Sequence, residues 1–176
     1  MHDIRPYLPE LFNEPGTLLY IGARADAHSW LDELIEAGNE VYVLEVWEPN
    51  VQGLIRSDLK IRDIFLGNVK DIDDSDAWIS ASFYGKFDYI FYWHGPEHLE
   101  AQEIAQTLDK LFEKTNKTLA IACPYGKYHQ GAHTGNPYET HKSTLYPDFF
   151  KRLGFTVATD GEADKAGSEI VAWKIK

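Results

Sequence analysis

Apolar residues come along this chain in short runs, and between the runs lie segments whose apolar positions recur every three or four residues. Strands and helices are therefore predicted to alternate from end to end. Thr17 to Ile21 reads as a first strand closed by Gly22. A helix follows, capped by Ser29, with Leu31, Leu34 and Ile35 on one face and Asp32 and Glu33 at its positive end, and Gly38 stops it. Val41 to Val46 reads as the second strand, and Glu48-Pro49-Asn50 opens a short helix with Leu54 and Ile55 expected inward. A weaker third strand is expected near Ile61 to Leu66.

The fourth strand carries the strongest signal. Tyr89 to Trp93 is a continuous apolar run, the habit of a strand covered on both faces, as in parallel sheets. It ends in the polar tip His94-Gly95-Pro96-Glu97-His98, after which Ile104, Leu108, Leu111 and Phe112 recur at helical spacing. Leu119 to Cys123 reads as a fifth strand, Pro147 opens a helix that Gly154 stops, and Phe155 to Ala158 follows as a sixth. Glu169 to Ile175 is the last. The Gly- and Asp-rich link before it has no room for a helix, so the final pair should be an antiparallel hairpin.

This succession predicts one α/β domain over residues 1–176, a three-layer Rossmann-like sandwich with a mostly parallel sheet of about seven strands and an antiparallel last strand. Residues 124–146 break the habit of short connections. Tyr125, Tyr128, Tyr138 and Tyr146 are poor material for a solvated tether, so the segment is expected to be a lid-like insertion.

Composition adds limits. A chain of 176 residues with 44% hydrophobic and 14% aromatic residues has ample material for one core. No apolar run approaches the roughly 20 residues of a membrane span, and the opening residues lack a basic-then-apolar export signal. The single cysteine, Cys123, sits in an apolar run and is expected to be a buried thiol in a reducing compartment, which points to the cytoplasm. A formal charge of -11 repels phosphate backbones and anionic membranes, so neither free nucleic acid nor membrane is expected as a partner.

With the strands placed, the chain resembles a class I S-adenosylmethionine-dependent methyltransferase of the methyltransferase-11 group. The likeness rests on Leu18 to Gly22 after the first strand, Val43-Leu44-Glu45-Val46-Trp47-Glu48-Pro49 at the second, Gly67-Asn68-Val69-Lys70-Asp71 at the third and Glu97-His98-Leu99 after the fourth. It extends to Pro124-Tyr125-Gly126 after the fifth strand and to Gly135-Asn136-Pro137, Glu139, His141 and Ser143 beyond it. The resemblance implies strand order 3-2-1-4-5-7-6, S-adenosylmethionine as cofactor and a small-molecule methyl acceptor. One departure concerns the first loop: members of the family carry an acidic residue and a second glycine where this chain has Tyr20 and Arg24.

The candidate site follows from those positions. In the loop Gly22-Ala23-Arg24-Ala25-Asp26, Gly22 permits close backbone approach, Arg24 is suited to the carboxylate of a methionine tail and Asp26 to its ammonium. Glu45, at the carboxyl end of the second strand, is placed to accept hydrogen bonds from both ribose hydroxyls. By the resemblance Asn68 and Val69 lie beside the adenine, with Asp71 nearby. Among the histidines, His94 and His129 are the candidates for catalysis, His94 as a general base at the strand tip. His98 is expected to brace the helix start, with Glu97 capping the helix or favouring its dipole. The histidine spacings match no zinc pattern, so no metal site is expected.

Two other readings compete. One is a methyltransferase-like domain without catalysis that binds a nucleoside ligand or a protein, supported by Tyr20 and Arg24. The other is a carbohydrate or nucleotide-sugar enzyme. Its metal-binding acidic triplet would have to be Asp71-Ile72-Asp73, in a turn that is the wrong context for one.

Overall fold

A computed structural model describes residues 3–24, 30–72, 86–133 and 135–176. Asp26, Ser29 and Asp73 lie outside them, and with them the expected helix cap and the expected ammonium partner. The strands are β1 (Thr17–Ile21), β2 (Glu40–Glu45), β3 (Asp63–Leu66), β4 (Phe87–Trp93), β5 (Thr115–Pro124), β6 (Thr156–Asp160) and β7 (Glu169–Ile175). The helices are α1 (Glu10–Asn13), α2 (Leu31–Glu36), α3 (Glu48–Arg56), α4 (Ala101–Glu113) and α5 (Pro147–Arg152).

All seven strands join one sheet in the order β3-β2-β1-β4-β5-β7-β6. Neighbours run parallel from β3 to β5, and β7 is antiparallel to both β5 and β6, as its short hairpin link requires. Alternation along each buried strand divides the core. Leu19, Ile21, Leu44, Ile90, Tyr92, Leu119 and Ile121 face α4 and α5, meeting Ile104, Leu108, Leu111 and Phe150. Leu18, Tyr20, Val41, Val43, Tyr89, Phe91 and Trp93 face the other way, toward Leu11, Leu31, Leu34 and Leu54. Two buried faces need two helical layers, which explains the apolar run of β4.

Details differ from the sequence pattern where local chemistry intervenes. Ile55, expected inward, is 59% exposed, because Val51 and Leu54 already fill the buried stripe of α3. β5 begins at Thr115, directly after α4, where the Thr115 hydroxyl donates to the Leu111 carbonyl at 2.8 Å. Glu97 does not cap α4. Glu100 takes the cap position in a capping box with Glu103, whose Oε2 accepts from the Glu100 backbone N–H at 3.2 Å.

The strand tips and the segment after β5 set the working edge of the sheet. Gly22 leaves β1 with φ +81° and His94 leaves β4 with φ +47°, both left-handed. From the segment following β5, the backbone N–H groups of Lys142 and Ser143 donate to the Glu97 carbonyl at 2.8 and 3.0 Å. The Ser143 hydroxyl donates to the Leu99 carbonyl at 2.6 Å. These bonds lay residues 138–143 across the carboxyl edge, above the tip of β4. Among the described residues, no helix is long and apolar enough to cross a membrane.

Candidate functional site

Parallel strands that end together leave a crevice where their connections diverge, and here it lies beyond β1, β2 and β4. The crevice is a cleft of ≈ 240 Å³ lined by Gly22, Glu45, Asn68, Val69, Tyr92 and His94, among others, with Tyr138, Glu139 and Lys142 on the far side. Glu45 is its central charged group. It ends β2, is 4% exposed, and receives the Trp47 backbone N–H at 2.8 Å. Burial, only partly offset by that hydrogen bond and one from Asn50, raises its pKa to about 7. A carboxylate this poorly solvated gains from any ligand that brings it two hydroxyl donors.

The predicted cleft residues fare unequally. Gly22 lines the cleft, and its N–H is held by the Leu44 carbonyl at 2.8 Å. Asn68 and Val69 also line it, Asn68 accepting from the Lys70 N–H at 3.1 Å to fix the turn after β3. Ala23 is 1% exposed and packs into the core instead. Asp71 faces away, toward Glu103, Gln106 and Lys110, because the helical turn over Val69–Asp71 rotates it from the cleft. Arg24 pairs with Glu139 at 3.6 Å, tying the loop after β1 to the segment above the sheet. Tyr20, where family members carry an acidic residue, is a core side chain stacked edge-on against Phe91 at 5.0 Å.

A second cavity of ≈ 300 Å³ adjoins the first and shares His94, His98 and Glu139 with it. Glu97, Tyr128, Gln130, His141 and Glu169 complete much of its wall. His94 Nε2 lies 2.9 Å from Glu169 Oε1, and Nδ1 lies 3.4 Å from Glu97 Oε1. Burial disfavours the charged ring, but the two carboxylates outweigh it and raise the pKa to about 10. His94 therefore holds a proton at neutral pH, with both ring N–H groups turned to carboxylates, and is not a free base. His129 is exposed and lines neither cavity, since the chain turns it outward while His141 takes the inward place.

Sequence reasoning missed the carboxylates. Glu97 is 2% exposed, and its pKa is lowered although burial works the other way, because the His94 ring faces it. Its signal was present in Glu97-His98-Leu99, but an acidic residue before a helix also reads as a cap. Glu169 had no local signal. It reaches the site because β7 pairs antiparallel with β5 and places Glu169 opposite Pro124, beside the tip of β4.

No protein-family model matches the chain, and no curated protein matches it. Solved structures do. The DhpI–SAH complex superposes with a TM-score of 0.67 at 12% identity, over 97% of this chain and 87% of that one. Magnesium protoporphyrin IX methyltransferase (ChlM) from Synechocystis PCC 6803 with bound SAM gives 0.62 at 14% identity, over 98% and 76%. A SAM-dependent methyltransferase from Archaeoglobus fulgidus gives 0.60 at 17% identity, over 97% and 91%. The fold is that of the class I methyltransferases. Identity this low establishes the fold and leaves the chemistry to the residues of the site.

Proposed function

We propose that this protein binds S-adenosylmethionine in the cleft beyond β1, β2 and β4 and transfers its methyl group to a small-molecule acceptor in the adjoining cavity. The observation that carries the reading is Glu45, a buried carboxylate at the end of β2 that lines the cleft and lacks the solvation its charge requires. Two vicinal ribose hydroxyls supply the missing donors. Asn68 and Val69 offer a polar and an apolar edge for the adenine, and Arg24 a cation for the carboxylate of the methionine tail. When bound, the cofactor supplies a methyl group on a sulfonium sulfur.

The chain's own part is alignment and proton control. His94 stands between the two cavities, and its proton is held by Glu97 and Glu169. It fixes the two carboxylates and the charge of the wall against which an acceptor is aligned toward the cleft. Residues 138–142, stitched above the tip of β4, form the lid-like wall that limits water at the reacting atoms. A buried free Cys123 fits a reducing cytoplasm.

Thermal unfolding with S-adenosylhomocysteine tests the reading. At about a hundred times its dissociation constant the ligand should add roughly 2.7 kcal/mol, a rise of roughly 5 to 10 °C, and Glu45→Ala should abolish most of it. No shift at millimolar ligand would remove the cofactor. A shift that survives Glu45→Ala would mean that the ligand sits elsewhere.

A further inference from the structure

Glu97, His98 and His141 bring three metal-ligating atoms within 4.8 Å of one another at the floor of the second cavity. His98 Nε2 lies 3.9 Å and His141 Nε2 4.0 Å from Glu97 Oε1. Among the described residues neither carboxylate oxygen of Glu97 has a hydrogen-bond partner, although both are buried, and His94 Nδ1 comes no nearer than 3.4 Å to Oε1. A buried carboxylate without donors is costly and calls for an explanation.

The opposite faces of the two rings supply it. His98 Nδ1 lies 3.3 Å from the Thr140 carbonyl and His141 Nδ1 2.7 Å from the Tyr128 carbonyl. A carbonyl oxygen only accepts, so each Nδ1 carries a proton, and Nε2, the nitrogen left to ligate, is the one turned toward Glu97. Three ligand atoms then converge on one point. A cation placed there would meet a carboxylate oxygen and two imidazole nitrogens. Backbone carbonyls holding the far nitrogens are also the means by which proteins orient histidine ligands.

We propose that Glu97, His98 and His141 form a binding site for one first-row divalent transition-metal ion, two imidazoles and one carboxylate being a donor set suited to zinc, cobalt, manganese or iron(II). Bonds of about 2.1 Å set the ligand atoms roughly 3.0 to 3.4 Å apart, so each histidine–carboxylate distance shortens by about 0.5 to 1 Å on binding. The site opens on the cavity also lined by Gln130 and Glu139, where further ligands have room. Its existence stands on these residues alone. Its use, to hold and polarise an oxygen or nitrogen of the acceptor beside His94, rests on the methyl-transfer reading.

The test is titration of chelator-treated protein with cobalt(II) chloride, followed by visible ligand-field absorption. One equivalent should produce a band that zinc chloride displaces. Loss of an outer partner of a metal ligand already weakens binding roughly 10- to 100-fold, so Glu97→Gln and His141→Ala should each cost at least that much. Both should keep the thermal shift with S-adenosylhomocysteine, whereas Glu45→Ala should lose that shift and keep the cobalt band. A wild-type protein that shows no band, or a band unchanged in His141→Ala, overturns the metal site. A band without any S-adenosylhomocysteine shift supports the metal site and removes only the cofactor reading.

Discussion

His94 Nε2 meets Glu169 Oε1 at 2.9 Å, joining the last turn out of β4 to the first residue of β7. The contact draws together two elements 75 residues apart in the chain. It also accounts for the backbone: a non-glycine residue at φ +47° costs about 1–2 kcal/mol, and it persists where the surroundings over-determine it. Here the ring is pinned from both sides, by Glu169 and by Glu97 at 3.4 Å.

The pairing predicts a pH dependence of stability. An unfolded histidine loses its proton near pH 6.5, whereas the folded ring keeps its proton to about 10. The stabilisation is therefore fully present below about pH 6.5 and is lost as the pH rises through about 10. Denaturation midpoints of the wild type should fall over that window more steeply than those of His94→Gln. Parallel profiles would remove the charged pair.

Glu45 also has a raised pKa, so its contribution likewise falls as the pH rises, here as a growing cost. Its folded pKa of about 7 exceeds the ordinary 4.5, so its ionisation costs stability, from nothing below about pH 4.5 to the full amount above about pH 7. The cost is at most roughly 3 kcal/mol. Glu45→Gln should therefore melt higher than the wild type at about pH 8, by roughly 2–4 °C for each kcal/mol recovered. S-adenosylhomocysteine needs the ionised form, so its affinity should be roughly tenfold weaker at about pH 6 than at about pH 8 in the wild type and flat in Glu45→Gln. Calorimetric titration at the two pH values decides this.

How much of this was legible depended on whether the signal was local. The strands and the antiparallel last pair followed from apolar runs, glycine stops and the short link before β7, all readable within a few residues, whereas the strand order came from the family resemblance. Glu45 was legible because a carboxylate between Leu44 and Val46 at a strand end has few structural uses. The polar cluster was not legible in the same way. His141 lies 44 residues beyond Glu97 in a segment without periodicity, and bonds made across that distance, such as those from Lys142 and Ser143 to the Glu97 carbonyl, bring it back. His129, twelve residues earlier, looked equivalent by letters and faces solvent.

Gly95 should resist substitution. A Cβ built there would lie 1.7 Å from Cε2 of Tyr92, a buried ring that also lines the cleft. The open side of the ring is the cleft itself, so Gly95→Ala should cost roughly 1–3 kcal/mol, as overpacking does, and should weaken S-adenosylhomocysteine by pushing the ring into its site. Chemical denaturation and calorimetry read the two effects. Wild-type stability would show that the ring yields without strain.

Arg24 offers the finest test of how the ligand lies. Its guanidinium is held 3.6 Å from Glu139, and both side chains are about four-fifths covered, so a cation already stands beside a carboxylate that lines the cleft. If the methionine tail binds there, its carboxylate competes with Glu139 for that cation. Removing Arg24 then removes a charge-assisted hydrogen bond of about 1.5–3 kcal/mol, so Arg24→Ala should bind S-adenosylhomocysteine roughly 10- to 100-fold more weakly. Adenosine, which has no tail, should bind as it does to the wild type. Glu139→Gln should act in reverse, freeing Arg24 and easing the repulsion that helps to raise the Glu45 pKa, and so should tighten S-adenosylhomocysteine. Equal losses for both ligands in Arg24→Ala would mean that Arg24 shapes the loop after β1 and does not read the tail. Unchanged affinity for both would place the tail outside this loop altogether.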